Sequence, residues 1–485
     1  MKKNHTMMQF FEWHLEADGA HWNRLKEMAS TLKENGIDSV WIPPAAKSET
    51  PDDNGYGVYD LYDLGEFDQK GSVRTKYGTK EELLEAIAAC HENEVCVYAD
   101  VVMNHKAAAD EKETFEVVKV NEENRNEDIG EPFEMEGWTK FTFPGRGDTH
   151  SDFKWNYTHF NGTDYNASDD EEGIFRILGE DKAWNENVAD EFGNYDFLMF
   201  ANYDYNNPEV REEMISWSKW LTDTLEVDGY RLDAIKHINY DFVKEFAEQA
   251  MEHGGEDFYI VGEFWLSDLA ECQAFLDNID YKIDLFDVSL HFNLHNASNA
   301  GADYDLREIF EDTLVKSHPM HAVTFVDNHD SQPEESLESW VEEPFKQSAY
   351  ALILLREDGY PCVFYGDYFG INGPAPEEGK AEAIDPLLYV RKNKAYGEQE
   401  DYFAEANLIG WVRRGTEEME GSGCAVVISN EGDNSLTMNV GEEHAGEAWV
   451  DYTRNCKDEI IIEEDGTASF PVMGESVSVW ATPDE

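Results

Sequence analysis

Short runs of apolar, β-branched and aromatic residues recur through roughly the first 370 positions of the chain, separated by polar or amphipathic stretches. The runs are MMQFFEW at 7–13, SVWIPP at 39–44, VCVYADVVM at 95–103, GYRLDA at 229–234, FYIVGEF at 258–264, LFDVSL at 285–290, AVTFVDN at 322–328 and CVFYGD at 362–367. Between most of them the apolar residues follow a helical spacing, as in HWNRLKEMASTLKENG and KEELLEAIAACHEN. Apolar strands that alternate with amphipathic helices predict a parallel sheet, and eight such units predict a closed (β/α)8 TIM barrel.

Two regions interrupt this alternation. Residues 104–207 are rich in Asn, Asp, Gly and aromatic residues and are too long for a barrel loop, which predicts an irregular β-rich subdomain inserted after the third strand. After 396 the strand-like pieces GCAVVISN, SLTMNV, EAWVDY, EIIIEED, ASFPV and SVSVWAT predict a C-terminal antiparallel β-sandwich. We therefore expect a barrel formed by 1–103 and 208–396, an inserted subdomain at 104–207 and a β-sandwich domain at 397–485.

The charge of the chain limits its partners. With 104 Asp and Glu against 37 Lys and Arg, the formal net charge is -67, so nucleic acid and anionic membranes would be repelled. A neutral substrate avoids that repulsion. Because salt screens repulsion between surface carboxylates, the composition also predicts a protein adapted to a salt-rich environment, with simple solubility as the alternative explanation.

The six cysteines are scattered, without the paired spacing of a zinc site, so we expect reduced thiols. No run approaches the about 20 apolar residues of a membrane helix. The start MKKNHTMMQFFEWHLEADG reaches Glu12, His14 and Glu16 before a signal-peptide core could form. The expectation is a soluble cytoplasmic protein, with a secreted mature form left open.

Polar residues follow four of the predicted strands, at the face where barrel enzymes carry their chemistry. They are Asp100, Asn104 and His105; Arg231, Asp233, Lys236 and His237; Glu263 and Trp265; and Asp327, His329 and Asp330. Any one of these carboxylates could be a helix cap, and any one histidine a core residue. Several carboxylates at one barrel mouth repel each other, so their coincidence indicates function rather than stability.

Two facing carboxyl groups, one ionised and one protonated, are the groups that cleave glycosidic bonds. Arg231 lies two residues before Asp233, on the same side of the strand, and favours its ionised form, which makes Asp233 the predicted nucleophile. Glu263 sits among apolar neighbours that raise a carboxyl pKa, which makes it the predicted proton donor. Asp330 is the predicted third carboxylate, which helps to bind and distort the sugar ring.

The motifs DVVMNH, GYRLDAIKH, GEFW and FVDNHD, in this order, resemble those of the α-amylase family of glycoside hydrolases, and further similarity along nearly the whole chain points to its bacterial liquefying type. The resemblance implies endo-hydrolysis of α-1,4-glucosidic bonds in starch or glycogen with retention of configuration. It gives Asp233, Glu263 and Asp330 the same roles as above. The substrate-binding residues it implies are Tyr56, Asp100, His105, Arg231, Lys236, His237, Trp265 and His329.

Members of this family hold calcium between the barrel and the inserted subdomain. The positions that match its ligands are Asn104, Asp196, Asn202 and the carbonyl of His237. The family usually has Asp where Asn202 stands, and Asn161, Asn185 and Asn206 also replace family Asp residues, while Asp204 remains. Since calcium binds best to several anionic oxygens, we expect at most one weakly bound Ca²⁺, or a site satisfied by Na⁺ or water, and no organic cofactor.

Three alternatives stay open. A glycan-binding protein without activity would have a damaged acidic trio, whereas all three residues are present. A metal-dependent sugar isomerase would need a His and carboxylate cluster and no arginine beside the nucleophile. A transglycosylating or maltogenic, short-product enzyme of the same family is harder to separate. We expect a monomer that acts on α-glucan polysaccharides.

Overall fold

In the computed structural model, which describes residues 4–484, eight parallel strands close into a barrel. The strands are β1 (Met7–Gln9), β2 (Ser39–Ile42), β3 (Cys96–Val101), β4 (Gly229–Leu232), β5 (Tyr259–Gly262), β6 (Asp284–Phe286), β7 (Ala322–Phe325) and β8 (Tyr360–Phe364). Each strand pairs with its neighbours in chain order, and β8 pairs with β1. Every strand overlaps one of the eight predicted apolar runs, so the predicted (β/α)8 barrel is confirmed.

Helices surround the barrel and bury one apolar face against it. They are α1 (His21–Glu34), α2 (Lys80–Glu92), α3 (Pro208–Leu225), α4 (Tyr240–Gly254), α5 (Leu269–Asn278), α6 (Val288–Ala300), α7 (Leu314–Ser317), α8 (Lys346–Leu354), α9 (Tyr365–Phe369) and α10 (Ala381–Asn393). In α1 the buried face is Trp22, Leu25, Ala29 and Leu32, at helical spacing. A capping box between Thr79 and Glu82 begins α2.

The inserted region is β-rich, as predicted, and its strands form one antiparallel sheet. Its strands, in spatial order, are His105–Lys106, Ala201–Tyr203, Phe160–Asn166, Glu171–Ile177, Glu111–Asn121 and Asn124–Lys140. The long hairpin of the last two strands carries no strong apolar run, because most side chains of Asn124–Lys140 are exposed. The pairing of Asn202 with His105 brings the far end of the insertion back to the barrel mouth.

The C-terminal region is antiparallel, as predicted. A six-stranded sheet contains, in spatial order, Gln399–Glu405, Leu408–Arg413, Cys424–Ser429, Ser476–Ala481, Ala448–Asp451 and Ile460–Ile461. A two-stranded antiparallel sheet of Asn434–Asn439 and Thr467–Val472 packs against it around Trp449, Phe470 and Trp480. The first two strands of the larger sheet were not predicted from the sequence, whereas the other six strands of this region were.

The six cysteines are unpaired thiols. Among residues 4–484, no helix combines the length and apolar character needed to cross a bilayer.

Candidate active site

A cleft of about 330 Å³ opens where the barrel strands end. Its walls are formed by Trp13, Tyr56, His105, Tyr195, Leu198, Met199, Asp233, Ala234, Lys236, His237, Glu263, Trp265, His329, Asp330, Ser336 and Leu337. The cleft brings together all the predicted catalytic residues and all the predicted substrate-binding residues except Asp100 and Arg231. Those two side chains are buried and do not line it.

The fully buried Arg231 guanidinium organises the carboxyl groups. It donates from Nη1 to Asp233 Oδ1 at 2.6 Å and to both carboxylate oxygens of Asp100, at 3.0 and 3.1 Å. Its second terminal nitrogen, Nη2, lies 3.0 Å from Glu263 Oε2. The sequence predicted only the contact with Asp233. The structure shows that one arginine is shared by the predicted nucleophile, the predicted proton donor and Asp100.

Asp100 was predicted to bind the substrate. Its buried side chain lies behind the cleft wall instead and contacts Tyr56 and Arg231. Its Oδ2 atom accepts hydrogen bonds from Trp41 Nε1 and from the hydroxyl of Tyr56, both at 2.9 Å. Burial raises the pKa of Asp100 to about 7 although Arg231 opposes that rise. Asp100 therefore positions both Arg231 and the Tyr56 ring.

Backbone geometry fixes the two central carboxyl groups relative to each other. Ala234, directly after Asp233, adopts a left-handed conformation with φ 49°, and its N–H donates to Glu263 Oε2 at 3.0 Å. Burial raises the pKa values of Asp233 and Glu263, while the Arg231 charge lowers both. Burial raises the pKa of Glu263, as the apolar neighbours in the sequence predicted. The charge of Arg231, whose contact with Glu263 the sequence did not indicate, opposes that rise.

Asp330 faces these groups from the loop after β7. Burial, and then the nearby charge of Glu263, raise its pKa well above the usual range. Its Oδ2 atom lies 3.5 Å from His329 Nε2, and His329 Nδ1 lies 3.0 Å from Gln9 Nε2. Burial keeps the pKa of His329 well below its ordinary value, so the imidazole is neutral.

Three nearly parallel rings form one wall of the cleft. Tyr56 stacks with His329 at a centroid distance of 5.2 Å and an angle of 9°. Trp13 lies 5.8 Å from each of them, at angles of 8° and 17°. Trp13 was not predicted as a site residue, because it ends the apolar run that contains β1 and resembles a core residue there.

The opposite side of the cleft carries Lys236, His237 and Trp265. Lys236 Nζ donates to Glu191 Oε2 at 2.8 Å and to the Trp265 carbonyl oxygen at 3.2 Å. His237 Nδ1 lies 2.8 Å from the carbonyl oxygen of Tyr195, and burial lowers the pKa of His237 to about 3. Tyr195, Leu198 and Met199 come from the inserted region and were not predicted, since no local pattern distinguishes them from other loop residues.

His105 is neutral and faces the backbone. Its Nε2 atom lies 2.8 Å from the Tyr56 carbonyl oxygen, and burial lowers its pKa to about 4. His105 is the first residue of the inserted sheet. Its contact with the Tyr56 carbonyl oxygen therefore joins the inserted sheet to the aromatic wall.

The residues expected to hold a cation lie beneath His105. Asn104 Nδ2 donates to the carbonyl oxygen of His237 at 3.4 Å, so that predicted metal ligand already accepts a hydrogen bond. Asp196 and Asn202 are buried beside Asn161 and Asn185. Burial raises the pKa of Asp196 to about 7, while hydrogen bonds from Asn185, Asn161 and Asn202 lower it. This set contains one carboxylate, which does not fit the anionic oxygen cluster that Ca²⁺ prefers.

Comparison with known proteins gives one consistent result. A family model described as "Alpha amylase, catalytic domain" matches residues 20–404, and one described as "Alpha-amylase C-terminal" matches 424–481. The chain is 50% identical over 478 residues to the glucan 1,4-alpha-maltohexaosidase of Bacillus sp. (strain 707), covering 98% of this chain and 92% of that protein. It is 42% identical over 490 residues to the cytoplasmic alpha-amylase of Escherichia coli (strain K12), covering 99% of each. The crystal structure of an Anoxybacillus alpha-amylase superimposes with a TM-score of 0.65 at 18% identity, covering 100% of this chain and 98% of that one.

Proposed function

The chain belongs to the α-amylase family, and we propose that it hydrolyses internal α-1,4-glucosidic bonds of starch or glycogen with retention of configuration. One observation carries this proposal: Asp233, Glu263 and Asp330 line a single cleft, and Arg231 contacts the first two from adjacent nitrogens. A pair of carboxyl groups with an oxocarbenium-like transition state between them is the arrangement of glycoside hydrolases.

In the first step, ionised Asp233 attacks the anomeric carbon of the bound glucose unit. Glu263 gives its proton to the departing glycosidic oxygen, so the C–O bond breaks as the glycosyl–Asp233 ester forms. In the second step, Glu263, now ionised, takes a proton from water, and the resulting oxygen nucleophile breaks the ester. The protons balance, and Asp233 and Glu263 return to their starting states.

The other residues of the cleft position the substrate. Asp330 would bind hydroxyl groups of the distorted ring at the cleavage point, and Tyr56 and Trp13 offer flat ring surfaces for stacking. Lys236, His237 and Trp265 would contact the departing chain. Arg231 holds Asp233 ionised and aimed, as its 2.6 Å contact indicates.

The substitution Glu263→Gln, assayed on soluble starch, tests this mechanism. We expect loss of turnover with the fold intact. Iodine staining that falls rapidly while mixed oligosaccharides accumulate would support internal cleavage by the unaltered enzyme. Turnover of the Glu263→Gln variant near that of the unaltered enzyme would refute the mechanism.

A second candidate function is the release of one main short product or transfer to another sugar. The identity of 50% to a protein named for maltohexaose release favours the release of one main short product. So does a further groove of about 480 Å³, lined in part by Trp138, Tyr165 and Phe200, with the Phe200 ring 5.4 Å from His105. Chromatography of products from starch and from maltotriose separates the candidates, since longer chains indicate transfer and a single dominant oligosaccharide indicates product-length control.

We also propose that the protein acts as a monomer in the cytoplasm. Similarity along 99% of both chains to a protein named cytoplasmic α-amylase supports the location. Cell fractionation with activity staining and light scattering of the purified protein test these two points. Activity in the medium, or a mass of two chains, would contradict them.

A further inference from the structure

Within the inserted region, the loop at 178–200 meets the sheet through amide groups where a cation site would need carboxylates, and we call this contact the junction. We define the amide cluster as Asn161, Asn185, Asp196 and Asn202, all buried with at most 1% exposure. We propose that this cluster and the ammonium group of Lys182 together hold the junction closed, so that the folded protein requires no bound metal ion there.

The carboxylate of Asp196 accepts three hydrogen bonds from the protein itself. Its Oδ2 accepts from Asn161 Nδ2 at 2.7 Å and from the Asn185 backbone N–H at 2.9 Å. Its Oδ1 accepts from Asn185 Nδ2 at 2.8 Å. Three N–H groups therefore point at the negative charge from the directions in which a cation would approach it.

The orientation of these amides follows from chemistry. An ionised carboxylate can only accept hydrogen bonds, so the nitrogen and not the oxygen of Asn161 and Asn185 must face Asp196. Asn202 Nδ2 then donates to Asn161 Oδ1 at 2.9 Å, which continues the chain of hydrogen bonds. Aspartates at the same places could not donate to one another, and only cations between them would offset their repulsion.

Lys182 supplies the positive charge at the edge of the cluster. Its Nζ donates to Asp204 Oδ2 at 2.8 Å and to the carbonyl oxygens of Phe160 and Thr158, at 2.7 and 2.9 Å. Its side chain is only 8% exposed and that of Asp204 3%. An ammonium ion surrounded by one carboxylate and two carbonyl oxygens occupies the type of oxygen cage that otherwise suits a metal cation.

Two amide oxygens, Asn185 Oδ1 and Asn202 Oδ1, accept no hydrogen bond from residues 4–484. They are neutral, and a water molecule would satisfy them as well as a cation. With Asp196 already bonded to three donors and Asp204 paired to Lys182, these two oxygens alone would make a poor divalent-ion site.

Metal content and thermal stability of the full-length protein test the proposal. After dialysis against EDTA, we expect less than one calcium per chain, and the same Tm in EDTA as in excess CaCl₂. Replacing NaCl by choline chloride at equal ionic strength tests whether Na⁺, and not water, binds the two amide oxygens. We expect no change in Tm. A Tm that falls in EDTA and recovers with Ca²⁺, or that recovers specifically with Na⁺, would overturn the proposal.

Substitutions test each half of the junction. Lys182→Met should lower the Tm by several degrees, because Asp204 loses its counter-charge, whereas Lys154→Met, which removes a more exposed ion pair with Asp148 in the same region, should change it little. The triple variant Asn161→Asp, Asn185→Asp and Asn202→Asp, purified with Ca²⁺, should become sensitive to EDTA. A Lys182→Met variant as stable as the Lys154→Met control, or a triple variant indifferent to Ca²⁺, would contradict the assigned roles.

Discussion

Buried charge is arranged differently at the barrel mouth and at the junction within the inserted region. At the mouth, Asp100, Asp233 and Glu263 surround one guanidinium, and burial and the nearby charge of Glu263 raise the pKa of Asp330. At the junction, amide groups surround Asp196, and Lys182 neutralises Asp204. Burying unpaired charge is unfavourable, so it persists where the reaction requires an anion and a proton donor. Where only a connection is needed, we propose that amide donors and one lysine take the place of a bound cation.

Removing the proton donor should cause the largest loss of activity at the barrel mouth. Glu263→Gln keeps the size of the side chain and removes one buried acid, so turnover of starch should fall by about 10²–10⁴-fold, the typical contribution of acid–base catalysis. The Tm should stay the same or rise, because one source of repulsion is gone. Kinetics with soluble starch and a thermal melt give both values, and Glu271→Gln on the exposed side of α5 is the control.

If the Glu263→Gln variant lost stability but kept its turnover, Glu263 would stabilise the fold and would not be the proton donor.

Arg231→Met should produce the largest loss of stability. Without the guanidinium, three carboxyl groups remain buried and uncompensated, which costs about 3–5 kcal/mol of unfolding free energy. Turnover should fall as well, since Asp233 loses the partner that keeps it ionised. Denaturant unfolding measures the first effect, and Arg231→Lys is the matched variant because it keeps the charge without the planar fork.

Equal stability of the Arg231→Met and unaltered proteins would mean that the carboxyl groups neutralise themselves by protonation.

Removing one ring from the stacked wall should have a smaller effect, and only on substrate binding. Trp13→Ala removes one ring from the set with Tyr56 and His329, and a loss of about 1 kcal/mol, or a factor of about five in kcat/KM, is expected. The change should appear mainly in KM. Trp13→Phe should restore most of it, and a loss confined to kcat would argue against a stacking role.

The pH dependence of kcat/KM should report the pKa values of Asp233 and Glu263. Burial raises the pKa of Glu263, which must be protonated to act, so activity should persist to a higher pH than an exposed glutamate allows and fall as pH rises through that pKa. Burial also raises the pKa of Asp233, which must be ionised, so activity should fall as pH decreases through it. Both limbs belong to the pair.

Glu263→Gln, assayed on a glucoside with a leaving group that needs no protonation, should lose the alkaline limb alone. Retention of that limb would assign it to another group.

The barrel and the positions of the acidic trio were predictable because both leave local signals. Parallel strands read as apolar runs, and polar residues at their ends belong to one face. The contact of Arg231 with Glu263 joins residues 32 positions apart and with Asp100 131 positions apart, so no local pattern contains it. Lys182 is a single lysine in a loop, and Asn124–Lys140 is an exposed strand. Their roles depend on what folds against them.

The cage around Lys182 has a consequence for the conditions under which the protein keeps its shape. An ion held by binding stabilises a fold in proportion to the logarithm of its concentration, and dilution or a competing chelator removes it. A cation attached through its own side chain has a fixed local concentration, set by the chain and independent of the medium. The junction would then remain intact when the supply of ions changes. The calcium concentration would neither limit the stability of the junction nor regulate it.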